Sequence, residues 1–177
     1  LGRGYSAAEA LDAMLTPDAP EDRNQRQLVI VDAHGGEAVF TGSECRPWAG
    51  HRTGDGVVVA GNLLVGPETV DAMLRRYQEL ASESLAERLV AALEAGQAAG
   101  GDRRGRISAA LLVAKSGAWP WIDVRVDSHP EPVPDLRRIF EEFKIAHLDV
   151  SRRDMITPPV VYPLQNTVAT HGEEAAS

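Results

Sequence analysis

Cysteine is nearly absent from this chain of 177 residues: Cys45 stands alone. A lone thiol excludes an internal disulfide and a cysteine-rich zinc site, and it leaves the redox compartment open. Long apolar runs are also missing, so no segment reads as a bilayer span. No basic stretch followed by an apolar one opens the chain, so no secretory leader is read, and a cytoplasmic setting is favoured. Positive charge is in deficit, with a net charge of −8. That balance argues against a dedicated duplex DNA or RNA binder, which needs a basic face to neutralise phosphates. No metal constellation is visible, and no cofactor, nucleic acid or membrane partner is expected. The chain begins at Leu1 rather than Met, which reads as a start in mid-domain.

What is present is a globular composition, 44% hydrophobic, enough for one domain with a core. Ser6 and Glu9 form a capping box that opens a helix carrying Ala7, Ala10, Leu11, Met14 and Leu15 on one face. Leu28 to Val31, Gly35-Gly36 and Glu37 to Thr41 read as strand, turn and return strand. "GSECRPWAGHRTGDG" reads as a loop, and "VVVAGN" as a third, doubly covered strand. Two helices follow. One carries Val70, Met73, Leu74, Tyr77 and Leu80. The other, opened by a second capping box at Ser84 and Glu87, carries Leu85, Leu89 and Leu93 and stops at Gly100-Gly101. Ile107 to Ala114, a Ser116-Gly117 turn and Ile122 to Asp127 make another hairpin, with Asp123, Arg125 and Asp127 on a wet face. A last helix runs from about Pro134 to His147. Residues 151–177 read as an extended or disordered tail behind a domain of residues 1–150. Grouped strands argue for an α+β fold of mainly antiparallel sheet, not a parallel dinucleotide-binding sheet.

The stretch "GGDRRGRIS" packs Asp102, Arg103, Arg104 and Arg106 around Gly105. Three readings compete. Arg103 or Arg104 grips an anionic substrate group, with Asp102 orienting it. Alternatively an Asp–Arg network braces the helix end, or the knot is a phosphate patch. Ser108 could face either site or sheet. Asn62 either donates to an oxyanion or caps its loop. His51 is an acid–base candidate or an exposed loop histidine. His34 belongs to a turn and is expected to be exposed. Glu44 beside Cys45 could form a pair, with a small buried cysteine the simpler reading. Trp119 and Trp121 read as cover for a sheet edge.

"RQLVIVDAHG", "AVFTGSECRPWAGHRTGDG", "VVVAGNLLVGPETVDAM", "LAERLVAALEAGQAAGGDRRGRISAALLV" and "IDVRVDSHPEPV" closely resemble the DUF1028 family over about residues 5–147. The resemblance implies an Ntn-hydrolase-like αββα sandwich and amide-bond hydrolysis, with a small amide or amino-acid-like substrate. Two departures stand out. Relatives carry strands before the segment matching Leu1, with an N-terminal Thr or similar nucleophile, and "GAWPWIDV" replaces a Gly- and Tyr-rich stretch. In this class the first residue's side chain attacks and its α-amino group acts as base. Thr41, Ser43 and Cys45 fit by type, but they lie at a strand's end or beyond it, where the nucleophile should open one. The chain as given is therefore expected to be inactive, and its open sheet edges to make it a homo-oligomer. The alternative is a non-catalytic ligand-binding or assembly module that reuses the fold.

Overall fold

The computed structural model describes residues 4–115 and 120–148. Chain contacts divide it into two units, Leu1–Glu142 and Phe143–Ser177. The second is described only through residue 148, where Lys144–Leu148 forms a π-helical turn. The expected tail, the Ser116-Gly117 turn and Trp119 lie outside the described residues.

The first unit is a mixed α+β arrangement with three small antiparallel sheets. Helix α1 (Ala7–Leu15) starts at the capping box: Ser6 Oγ accepts from the Glu9 backbone N–H and Glu9 returns the bond to Ser6. A short helix α2 (Pro20–Arg23) leads into strands β1 (Gln27–Val31) and β2 (Glu37–Thr41), paired from Gln27↔Thr41 to Val31↔Glu37. Asp32 builds their turn. Its carboxylate accepts the backbone N–H of His34 and Gly36, each at 2.9 Å, and that of Ala7 at 3.0 Å, which ties the turn to the start of α1. These bonds to the charged form hold the Asp32 carboxyl below its ordinary range, the Ala7 bond foremost. His34 is exposed on this turn.

The stretch after Gly42 differs from the loop expected there. Gly50–Gly54 is a strand, β3, paired with β4 (Val57–Gly61) through a tight turn at Asp55-Gly56. Its sequence, GHRTG, has no apolar signal, and pairing to β4 supplies what side-chain pattern does not. Helices α3 (Glu68–Glu79) and α4 (Leu85–Ala98) follow as an antiparallel pair. Val57, Val59, Val70, Tyr77 and Ala92 form a core here, flanked by Trp48, Leu64, Met73, Leu74 and Leu89. Each large side chain so buried contributes about 1.5–3 kcal/mol.

The leucine stripe expected on α4 is only in part its buried face: Leu89 packs against the core, but the fully buried positions are others. Leu85 is exposed, whereas Ala86, Val90, Ala91, Ala92 and Gly96 are buried. Small residues win because α3 and α4 pack closely: a Cβ on Gly96 would come within 2.6 Å of Met73 Cγ. Ser84 caps the helix, but Glu87 does not complete a capping box; it bonds to Arg137.

Strands β5 (Ala109–Ala114) and β6 (Pro120–Val126) form the third sheet, with Leu111, Val113, Ile122, Val124 and Val126 buried and Asp123, Arg125 and Asp127 exposed. Alternation of this kind buries one face of a sheet. Strand β5 begins two residues later than expected, and Ile107 is exposed. Helix α5 spans Pro132–Phe143, buries Leu136 and Phe140, and is braced to α4 by Arg137, which bonds Glu94 bidentately at 2.8 and 2.9 Å and Glu87 at 2.6 Å. Glu94 foremost raises the Arg137 pKa above its already high ordinary value. No described helix is long and apolar enough to cross a membrane.

Candidate functional site

The two N-terminal hairpins end together. Gln27 opens β1, Thr41 closes β2, Gly50 opens β3 and Gly61 closes β4. One side chain spans them. Gln27 Nε2 lies 3.0 Å from the Gly61 carbonyl, 3.2 Å from the Gly50 carbonyl and 3.2 Å from Thr41 Oγ1, while its Oε1 accepts from Asn62 Nδ2 at 3.1 Å. Thr41 Oγ1 in turn lies 3.0 Å from His51 Nδ1. The result is a polar chain, Asn62–Gln27–Thr41–His51, running across both hairpins. His51 is therefore a half-buried strand residue of β3, not a residue of an exposed loop.

A backbone lattice adjoins this chain. Leu63 N–H donates to the Arg46 carbonyl at 3.0 Å, and the Leu63 carbonyl accepts from Arg103 N–H at 2.9 Å. Trp48 and Leu64 exchange both backbone bonds, and Val65 N–H donates to Gly101. Leu63 occupies the left-handed region at φ 56°. That conformation costs an L-residue roughly 1–2 kcal/mol, and strain of this sort gathers at functional sites.

The arginine knot falls on this lattice and then diverges. Arg103 Nη2 donates to the Pro47 carbonyl at 2.5 Å. Arg104 grips Asp102 through Nε at 3.0 Å and Nη2 at 2.6 Å. The Arg104 hydrogen bond, the largest influence, holds the Asp102 carboxyl below its ordinary range, so Asp102 is an anion at neutral pH. Arg106 pairs with Glu131 through Nε at 3.0 Å and a second, shorter contact from Nη2. The three side chains thus go to three different partners, in a segment that turns at Gly101 and Gly105, both at positive φ.

Three open cavities surround these groups. One of about 470 Å³ is lined by Gln27, Glu44, Cys45, Arg46, Asn62, Leu63 and Arg104, among others. A second, of about 440 Å³, includes Asp102, Arg104, Arg106 and Ser108. A third, of about 560 Å³, includes Thr41, Ser43, Trp48 and His51. The structure thus brings Asn62 and Arg104 to one cavity and Asp102, Arg104 and Ser108 to another. His51 lines the third, away from Asn62 except through the polar chain. Glu44 and Cys45 line the first cavity, but the Cys45 thiol donates to the Arg26 carbonyl at 3.2 Å. Among the described residues no group of three or more His, Cys, Asp or Glu is placed to hold a metal ion. Trp121 is partly exposed, with the Lys115 ammonium 3.3 Å from its ring centroid.

Gln27, Arg46 and Leu63 are the site residues that sequence reading missed. Gln27 had a signal, a polar residue opening the apolar run QLVIV. Leu63 had none, because left-handed backbone is looked for at Gly or Asn.

The family of unknown function DUF1028 matches residues 1–136 of the chain. The chain is also similar to the crystal structure of a protein from Silicibacter pomeroyi assigned to the same family, at 32% identity and a TM-score of 0.69. The match covers 80% of this chain and 60% of that one, so residues 1–177 span less than two thirds of that relative's length. No curated protein matches.

Proposed function

The chain belongs to the DUF1028 family, and from that premise we propose that it forms the substrate-binding part of an Ntn-hydrolase-like αββα sandwich that cleaves a small amide bond. The observation that carries this reading is the Asn62 amide. Amide hydrolysis passes through a tetrahedral oxyanion, and the most useful donor is one already fixed in place before reaction. Asn62 commits one N–H to Gln27 Oε1. Gln27 is itself tied to both hairpins, so the second Asn62 N–H is held beside the 470 Å³ cavity without being consumed.

The attacking group in this class is the side chain of a strand-opening first residue, with its own α-amino group as base. An α-amino group has a pKa near 8, suited to that task. Thr41 closes β2, and Ser43 and Cys45 come after it. None of the three opens a strand, so none of them fits the nucleophile's role. Residues 1–177 alone would bind substrate without turning it over.

The test expresses the whole coding sequence that contains residues 1–177 and follows amine release from a panel of N-acyl amines and small amides. Asn62→Ala should lower kcat by about 10²- to 10³-fold, the usual loss for one oxyanion donor, with KM little changed. Absence of amine release from every amide sinks the hydrolase reading. If the same compounds raise the Tm without being cleaved, the domain is a binding module. That second reading draws on the mixed charges of the cavity lining, Glu44 against Arg46 and Arg104.

A further inference from the structure

Two guanidinium groups line the 470 Å³ cavity, and neither is fully used. Arg104 spends Nε and Nη2 on Asp102; its Nη1 has no hydrogen-bond partner among the described residues. Arg46 has no ion pair or side-chain hydrogen bond among the described residues, and it is exposed. The lattice around Leu63 sets their relation. The Leu63 N–H reaches Arg46 on one side, and its carbonyl reaches Arg103, the neighbour of Arg104, on the other. Arg46, Leu63 and Arg104 line one cavity, and side chains as long as arginine's can close around one planar anion there. The third arginine of this region is excluded, since Arg103 gives Nη2 to Pro47 and lines none of the three cavities.

We propose that Arg46 and Arg104 clamp a free carboxylate of the substrate, so that the cavity takes small N-acyl amino acids in preference to uncharged amides. This deepens the hydrolase reading and rests on it for the bond that is cut; the clamp itself requires only binding. Guanidinium is the group suited to a planar carboxylate, which it meets with parallel N–H donors. Leu63, between the two, offers an apolar surface, and Glu44 at the same cavity accepts from a substrate amide N–H or from the amine released. Asp102 keeps Arg104 in place and charged. Because both arginines are exposed, the attraction weakens as salt rises.

Hippurate (N-benzoylglycine) and its methyl ester separate these ideas, since they differ in one methyl group and one charge. Calorimetric titration into the protein encoded by the whole coding sequence reads affinity, and benzoate release in the same samples reads amide cleavage of either compound. Hippurate should bind roughly 10- to 100-fold more tightly than the ester, the value of one charge-assisted contact. Arg46→Met should erase most of that ratio, and Arg46→Lys should restore part of it. The Arg46 side chain makes no hydrogen bond or ion pair among the described residues, and the substitution leaves its backbone carbonyl to Leu63, so loss of folding is not an escape. Equal binding of acid and ester, no binding of either, or an unchanged ratio in Arg46→Met overturns the clamp. Carboxylate-dependent binding without cleavage of any amide keeps the clamp and removes the hydrolase. Cleavage of acid and ester with equal kcat/KM does the reverse.

Discussion

Replacing Gln27 with Leu keeps the side chain's bulk and removes its amide. The amide nitrogen has two hydrogens and three acceptors within 3.2 Å, the carbonyls of Gly50 and Gly61 and the hydroxyl of Thr41. At any moment it satisfies two of them, and Oε1 accepts a third bond from Asn62. A neutral hydrogen bond contributes about 1 kcal/mol net, and an acceptor left unpaired out of water costs about 1–3 kcal/mol. Gln27, Gly50 and Gly61 are all half-buried, so water recovers part of the loss, and the expected destabilisation is about 2–3 kcal/mol. In a urea titration with a slope near 2 kcal/mol/M this moves the midpoint down by about 1 M. Asn62→Ala alone should cost under about 1 kcal/mol, since Asn62 is exposed and loses one bond. The two changes together should cost less than their sum, because they share that bond. A midpoint shift below about 0.2 M for Gln27→Leu would show that this amide does not hold the hairpins together. The hairpins would then be held by β1–β4 packing, and Asn62 would have no fixed anchor.

Gly100 has φ 117°, and a Cβ there would come within 2.3 Å of Val65 Cγ2; Gly100→Ala should therefore destabilise by about 3 kcal/mol through strain and overpacking, and a thermal-melt loss under about 2 °C would count against it. Asp32 has a folded pKa below its unfolded value near 3.9, so its contribution is complete above about pH 4 and is lost as pH falls through the folded value. Asp32→Asn should flatten that acid limb of the stability curve, and identical limbs in the two proteins would show that the turn does not draw on the charge.

The elements most legible in the sequence are those whose signal is local. Ser6 and Glu9 lie three residues apart and close a capping box by themselves. The β1–β2 turn needs only Asp32 and the glycines after it. The β6 alternation is a property of seven residues. Strand β3 failed the same test because its partner is in β4: His51, Arg52 and Thr53 carry no apolar period, and they are held by pairing opposite Ala60, Val59 and Val58. Leu85, in one stripe with Leu89 and Leu93, misled for the opposite reason. Their spacing is helical, yet which helical face is buried depends on how closely α3 approaches, and that distance is set at Gly96 and Met73.

The site is less legible because its bonds join distant positions. Asn62 and Gln27 are 35 residues apart, and Arg103 and Pro47 are 56 apart. The knot Asp102–Arg106 looked like one object, a basic cluster on an acidic chain. In the structure its three arginines have three tasks. Arg103 ties the knot to Pro47, Arg106 is neutralised by Glu131, and Arg104 shares its charge between Asp102 and a cavity. Charge density along the chain therefore overstates charge density in space here, since the three arginines go to different partners. The reverse holds for Arg46. Alone in its stretch, it gave no reason to be singled out, yet it lines the same cavity as Arg104. A cluster in sequence is dispersed among Pro47, Asp102 and Glu131, and a pair far apart in sequence is brought to one cavity. Which charges share a cavity follows from the long-range backbone bonds of Leu63 to Arg46 and Arg103, not from their order along the chain.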